Sequence, residues 1–366
     1  MASVWIRAII AAREIAVRAG TSPALQGNVA DRSGSGPESR SPDRPSVRRP
    51  GAFGAAHEDP ADAYAGVPIL QEPKWGDEVA GYFFFGGISS GAALLGAVAD
   101  LSGERWRPLA RTAHAVSLAT AIPCAPLLIV ELGRPSRFHH MMRIFKPSSP
   151  MNLGTWTLLA HSGVATLQAA QALTGRTPLP PRLLATAGIP PAMTLGGYSG
   201  VLLGTTSVPL WSKSPLLGGL FMASAVASGT SAVSLASVAT GKDDPAAHAA
   251  LGTIAIAAGA SELALAGGFL ATSGDAAKPL LEGGEGRLLL GAALATTAAL
   301  ALEIAGTRSP NRALTALAAT ATLAGGAMLR WAVVRAGHRS ALDRDANLAS
   351  MRRTDRNPGW APPVSS

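Results

Sequence analysis

Tyr82 and Tyr198 are two of only three tyrosines in the chain, and each lies within an apolar run towards the same end of the path. Glu131 closes another such run, and His139 follows it in a polar loop. Phenol, imidazole and carboxyl groups at such a boundary suit one kind of chemistry, in which they hydrogen-bond the oxygens of an apolar ligand and pass it protons. Asp77 and Glu78, just before the first run, can relay protons to the same place or stand there as solvated boundary charges. Each residue also has a purely structural reading. Tyrosines anchor spans at the interface, Glu131 can clamp the turn through Arg134 and Arg137, and exposed loop histidines are common.

A second group sits deeper. Glu262 falls near the middle of an apolar run, where an acidic side chain costs about 2.5–3.5 kcal/mol on insertion scales. Ala255, Ala258, Gly259 and Ala266 share its helical face, so it is expected to point into a bundle. It is either a step in a membrane proton pathway or a carboxyl hydrogen-bonded to a neighbouring helix. Asp100, His114 and Glu303 lie near the opposite boundary, where they extend such a route or mark helix ends. Arg330 and Arg335, in the last run, are expected to snorkel towards headgroups.

The elements that must position these groups are membrane spans. Charged residues make up only 15% of the 366, and the apolar residues come in runs of about 20 rather than on periodic faces. The expected fold is an all-α integral membrane protein with eight transmembrane helices, near 79–99, 110–131, 152–173, 187–207, 216–239, 247–271, 286–305 and 312–336. Turn residues or charges separate them, and they divide naturally into two four-helix bundles. An even number places both termini on one side; Lys and Arg near the spans are too evenly divided to choose which. In the first span Gly86, Ser89 and Ala93 share the stripe of Tyr82, while Gly87 and Gly91 form a small-residue pair on the other side. That helix is expected to be buried among its neighbours. Pro123 and Pro126 should bend the second span just before Glu131.

The membrane domain is expected over 73–337. Residues 1–72 read as a mostly disordered tail, with a short amphipathic helix near its start, and 338–366 as a polar tail. The start of the chain is a poor signal peptide, because Arg13 and Glu14 interrupt its apolar stretch.

Cys124 is the only cysteine, so no iron–sulfur cluster, which takes about four such ligands, is expected in this chain. The net charge of +8 is spread over tails and loops without an aromatic-interleaved basic patch, and nucleic-acid binding has no support. His161 lies near mid-span, while His114 and His248 both sit near the far face, a pair that leaves a haem open.

Several segments carry a family resemblance. The small-residue helix after Trp75, the Glu131-Leu132-Gly133-Arg134-Pro135-Ser136-Arg137-Phe138 block, the Pro150-Met-Asn-Leu-Gly-Thr-Trp156 start, Tyr198-Ser-Gly and Val208-Pro-Leu-Trp211 occur in an order that resembles the NrfD/PsrC family. The resemblance covers roughly 75–337, and the Leu-Gly-Arg-Pro block is its most specific part. It implies a multi-pass subunit of the bacterial plasma (inner) membrane that binds menaquinone or ubiquinone, with no haem in this chain. Its implied partners are an iron–sulfur electron-transfer subunit and a catalytic subunit of the kind that often carries molybdopterin. It implies a quinone pocket near the partner-facing helix ends, and so a role there for Tyr82, Tyr198, Glu131 and His139. Tyr82 stands where some relatives have a histidine, a departure that bears on proton handling. Two rival readings remain: a secondary transporter or ion-translocating protein, which would use Glu262 and the glycine-rich fourth helix, and a structural anchor whose quinone site has been lost.

Overall fold

A computed structural model describes residues 70, 73–132, 135–175, 179–241, 244–308, 311–343 and 347. Among these residues every regular element is helical. The expected N-terminal tail and amphipathic helix, and most of the C-terminal tail, lie outside them.

The chain begins with α1 (Asp77–Leu101), whose first turn carries Asp77 and Glu78, the sign that favours a helix N-terminus. A turn at Glu104–Trp106 leads into α2 (Arg107–Ala121) and α3 (Cys124–Glu131). The break between those two falls at Ile122-Pro123, where proline removes a backbone donor, as the sequence predicts. After a 3-10 segment, Pro135–Met142, come α4 (Pro150–Thr174), α5 (Pro181–Gly204) and the short α6 (Pro209–Ser212). The second half contains α7 (Leu217–Ala239), α8 (Pro245–Ser273), the short α9 (Lys278–Leu281), α10 (Gly283–Arg308) and α11 (Arg312–Leu342). Several helices start with proline in the first turn, where its fixed φ suits the helix and its missing N–H costs nothing.

Helical segments therefore stand at all eight expected places, with two differences in extent. The fourth starts at Pro181 rather than near 187, because Pro180-Pro181 already sets helical entry. The last runs on to Leu342, where Ser340 Oγ accepts a hydrogen bond from Leu210 N at 3.1 Å. Six segments are long and apolar enough to cross a membrane: 77–101, 104–131, 217–239, 245–281, 283–307 and 312–342. The other two, α4 and α5, are diluted by Asn152, His161, Gln168 and Gln171 in one and by Arg182 and a Pro190-Pro191 pair in the other. The chain is thus a multi-pass membrane protein whose described residues form only helices.

In the first half α1 packs on α2, α2 on α4, α4 on α5 and α5 back on α1. In the second half α7, α8, α10 and α11 close a similar circuit. The halves meet along α1 and α7, and α1 is buried along nearly its whole length. Its small-residue pattern is the reason. Gly87 faces the Arg330 guanidinium, and Gly91 faces the Ala225 carbonyl of α7.

Candidate functional site

At the end where α1 begins, four stretches are tied together. Trp75 stacks on Trp211 of α6 with ring centroids 5.5 Å apart. The Trp211 indole, fully buried, donates to the Val333 carbonyl at 2.9 Å, and His338 meets its edge at 6.4 Å. A Cβ at residue 337 would overlap that indole, so glycine is required there. Asp77 and Arg335 form a two-point ion pair, at 2.9 and 2.5 Å. Arg339 reaches Glu285 at 2.8 Å. Arg335 is half-exposed, with its charge matched by Asp77.

Glu131 ends α3 and accepts the backbone N–H of Gly76 at 3.0 Å, holding the entry to α1. This is a clamp, although its described partner is a backbone amide rather than the following arginines. Glu131→Ala is expected to lower stability by about 1–3 kcal/mol, the usual cost of orphaning a donor, while Glu131→Gln keeps an acceptor and loses less. Thermal unfolding of the two variants in nanodiscs checks the ranking. Of the motif after it, Leu132 caps α3, Pro135 opens the 3-10 segment and Arg137 is exposed on it. Gly133 and Arg134 lie outside the described residues. His139 is also exposed on that segment, with its ring 4.4 Å from that of His140. The loop is organised by Asn152, a residue given no role from sequence. Its amide donates to the carbonyls of Met141 at 2.9 Å and Ile144 at 3.0 Å, and its oxygen accepts from Lys146 N at 2.7 Å.

Tyr82 lies just inside this end and is 2% exposed. Its ring tilts against Phe83 at 5.5 Å, and it is within electrostatic reach of Cys124 and Tyr198. The two tyrosines are thus brought together across α1 and α5, with Gly86 leaving room for the Tyr82 ring beside the Cys124 thiol. Their hydroxyls differ. Tyr198 donates to the Pro150 carbonyl at the start of α4, and its ring fills the space over Gly154. Among the described residues no hydrogen-bond partner faces the Tyr82 hydroxyl.

Deeper in the first half, Ser89 gathers three elements. Its hydroxyl donates to the Ser117 carbonyl at 2.8 Å and lies 2.7 Å from His161 Nε2. A hydroxyl has one proton to give, so His161 is the donor of the second contact and carries its proton on Nε2. The residue that the sequence offers only as a haem ligand therefore joins α4 to α1 and α2. At the far end His114 pairs with Asp100 at 2.8 Å. Tyr82, Ser89 and Asp100 fall within roughly 20° of one another around α1, at 100° per residue.

In the second half Glu262 is 3% exposed and accepts from Thr296 Oγ1 at 3.3 Å; Ser224 is a second hydrogen-bond partner. It points into the helices, as expected. Facing it is Arg330, and here the expectation from sequence fails, because this arginine does not snorkel. It is 1% exposed and donates from Nε to the Phe83 carbonyl at 3.0 Å. Its Nη1 donates to Ser224 Oγ at 2.8 Å and to the Gly326 carbonyl at 2.9 Å, and the Phe221 ring lies 5.6 Å from the guanidinium. Internal partners compensate what solvent would otherwise supply. Glu303, 8% exposed, lies by His248 on a cavity of about 10 Å³ with Ser234, Ser237 and Thr315, room for about one water.

A family model described as "Polysulphide reductase, NrfD" matches residues 70–340. Among curated proteins nothing matches the chain.

Proposed function

The chain belongs to the NrfD, polysulphide reductase, family, and from that premise we propose that it is the quinone-binding membrane subunit of a larger oxidoreductase. All eight helical segments cross the bilayer in this reading, as two four-helix bundles. The protein takes electrons from, or gives them to, menaquinone or ubiquinone, and exchanges them with an iron–sulfur subunit docked at the end that carries Trp75 and Trp211. That subunit connects to a catalytic chain of the molybdopterin kind. A separate membrane subunit has a physical reason: the quinone stays in lipid, while clusters and polar substrates stay in water.

The observation that carries the reading, beyond family membership, is Tyr82, 2% exposed just inside this end, whose hydroxyl has no hydrogen-bond partner among the described residues and is not fully enclosed. A donor left open in this way suits a quinone carbonyl. Tyr198 supports the position of α5 through Pro150 and is the lesser donor, since an incoming oxygen must compete with that carbonyl. His139 and Glu131 belong to the mouth, where a headgroup enters. Glu262, Asp100, His114 and Glu303 are the groups that would handle protons if turnover moves them across the membrane.

The test is stopped-flow oxidation of a menaquinol analogue by the purified complex, following reduction of the partner's clusters. Tyr82→Phe is expected to slow that step by about tenfold to a hundredfold, the loss of one positioned donor, and Tyr198→Phe by less. Wild-type rates in both variants remove these hydroxyls from the site. Absence of quinol-dependent cluster reduction in the wild-type complex shifts the reading to a structural anchor or a transporter.

A further inference from the structure

At the end opposite Tyr82 the first four helical segments line an open cavity of about 430 Å³. This lies in the roughly 300–1,000 Å³ range of sites for small ligands. Its wall is not that of a quinone slot, since Arg107, Arg111, Arg182, Gln171, Asp100 and Glu104 all contribute to it. Most of the charge is already matched internally. Glu104 holds Arg107 at 2.7 Å, and Asp100 holds His114 at 2.8 Å. Arg111 and Arg182 remain, and among the described residues neither has an ion-pair partner. Counting formal charges without histidine, the lining holds three guanidiniums against the two carboxylates of Asp100 and Glu104, and Arg111 and Arg182 are the guanidiniums without such a partner among the described residues.

A further feature points the same way. The N-terminus of α5, a helix of 24 residues, also opens here through Pro180, Pro181 and Arg182, and no side chain of the described residues caps it. Free amides and the positive end of the helix dipole favour an anion at that point. Guanidiniums bind phosphate oxygens in a fork geometry that lysine does not offer.

We propose that this cavity binds the phosphate group of an anionic phosphate ester, with Arg111 and Arg182 as the recognition residues. Its place, at the ends of segments that cross the bilayer, puts it at headgroup level, where basic pockets between helices take up anionic phospholipids. A soluble phosphate ester presents the same chemistry from the aqueous side. Neutral or zwitterionic lipid lacks the uncompensated charge that the two arginines would answer.

Native mass spectrometry of the delipidated full chain separates these cases, with phosphatidylglycerol, phosphatidylcholine and inorganic phosphate titrated separately. Both arginines are exposed, so Arg111→Gln/Arg182→Gln is expected to fold normally. Arg105→Gln, outside the cavity, is the control. Wild type is expected to hold phosphatidylglycerol about tenfold or more tightly than the double variant does, a loss of one to two charge-assisted bonds, with the control unchanged. Saturable binding of inorganic phosphate, lost in the same variant and without lipid retention, assigns the site to a soluble ester. Equal retention of both lipids, equal binding by wild type and double variant, or binding in no arm overturns the proposal. None of these readouts depends on quinone chemistry.

Discussion

Gly91→Leu is expected to prevent the membrane domain from assembling. A Cβ at this position would overlap the Ala225 carbonyl of α7, and a Cβ at Gly229, on the other side of the same crossing, would fall within 2.6 Å of the Gly91 and Ala92 backbone. What stands in the way is main chain on both sides, which cannot swing aside as a flexible side chain would. Helices in lipid gain little from hydrophobic transfer and associate through close packing, so a forced separation removes the contact itself. Gly91→Ala should cost about 1–3 kcal/mol as an overpacked position, and Leu more. Gly163 gives the matched control: on α4, with nothing within 4 Å of an added Cβ, its change to Leu should be tolerated. Size-exclusion profiles of detergent-extracted protein report the outcome directly. A monodisperse Gly91→Leu at wild-type yield would mean that α1 and α7 do not depend on this crossing.

The crossing also shows what the sequence could and could not supply. The small-residue stripes of α1 are visible as spacing, and so is the inference that they face neighbours. Which neighbour each glycine admits is not, because that depends on helices more than a hundred residues away. Gly87 and Gly91 read alike in sequence, yet one makes room for a guanidinium and the other for a backbone carbonyl. Arg330 misleads for the same reason. Local hydropathy places it near a span end, where arginines usually reach water, but its partners Phe83 and Ser224 come from α1 and α7. Helix positions are legible from apolar run length and punctuating prolines. The two segments that fall short in hydropathy carry polar residues, and in α4 two of these face inward: His161 and Gln168 are both buried. At the mouth, Trp75 and Trp211 are visible only as motif residues; their stacking joins segments far apart in the chain.

Arg330→Leu should be nearly as damaging as the glycine change, by a different route. The substitution leaves the Phe83 carbonyl without its donor and removes the positive charge that faces Glu262. Arg330 and Glu262 are linked through Ser224 rather than in direct contact, so the loss should at most approach the figure of about 3–5 kcal/mol typical of breaking a buried charged pair. Arg330→Lys keeps the charge but not the fork. A single ammonium is poorly placed to serve Phe83 on one helix and Ser224 on another, so a loss of about 1–3 kcal/mol is expected. Glu262→Gln should be mild by comparison, since its amide oxygen can still accept from Thr296. The decisive variant is Arg330→Leu/Glu262→Gln. If the damage lies in the orphaned carboxylate, removing that charge should restore at least about 1 kcal/mol, which a double-mutant cycle of thermal unfolding in nanodiscs would read as coupling. Additive losses would place the damage in the Phe83 contact alone. The same Glu262→Gln protein separates structure from function at this site: normal stability with altered proton uptake during quinol oxidation assigns Glu262 to the proton route. Unchanged uptake leaves it, with Arg330, as the strut that ties α11 to α1 and α7, and α8 to α7 and α10.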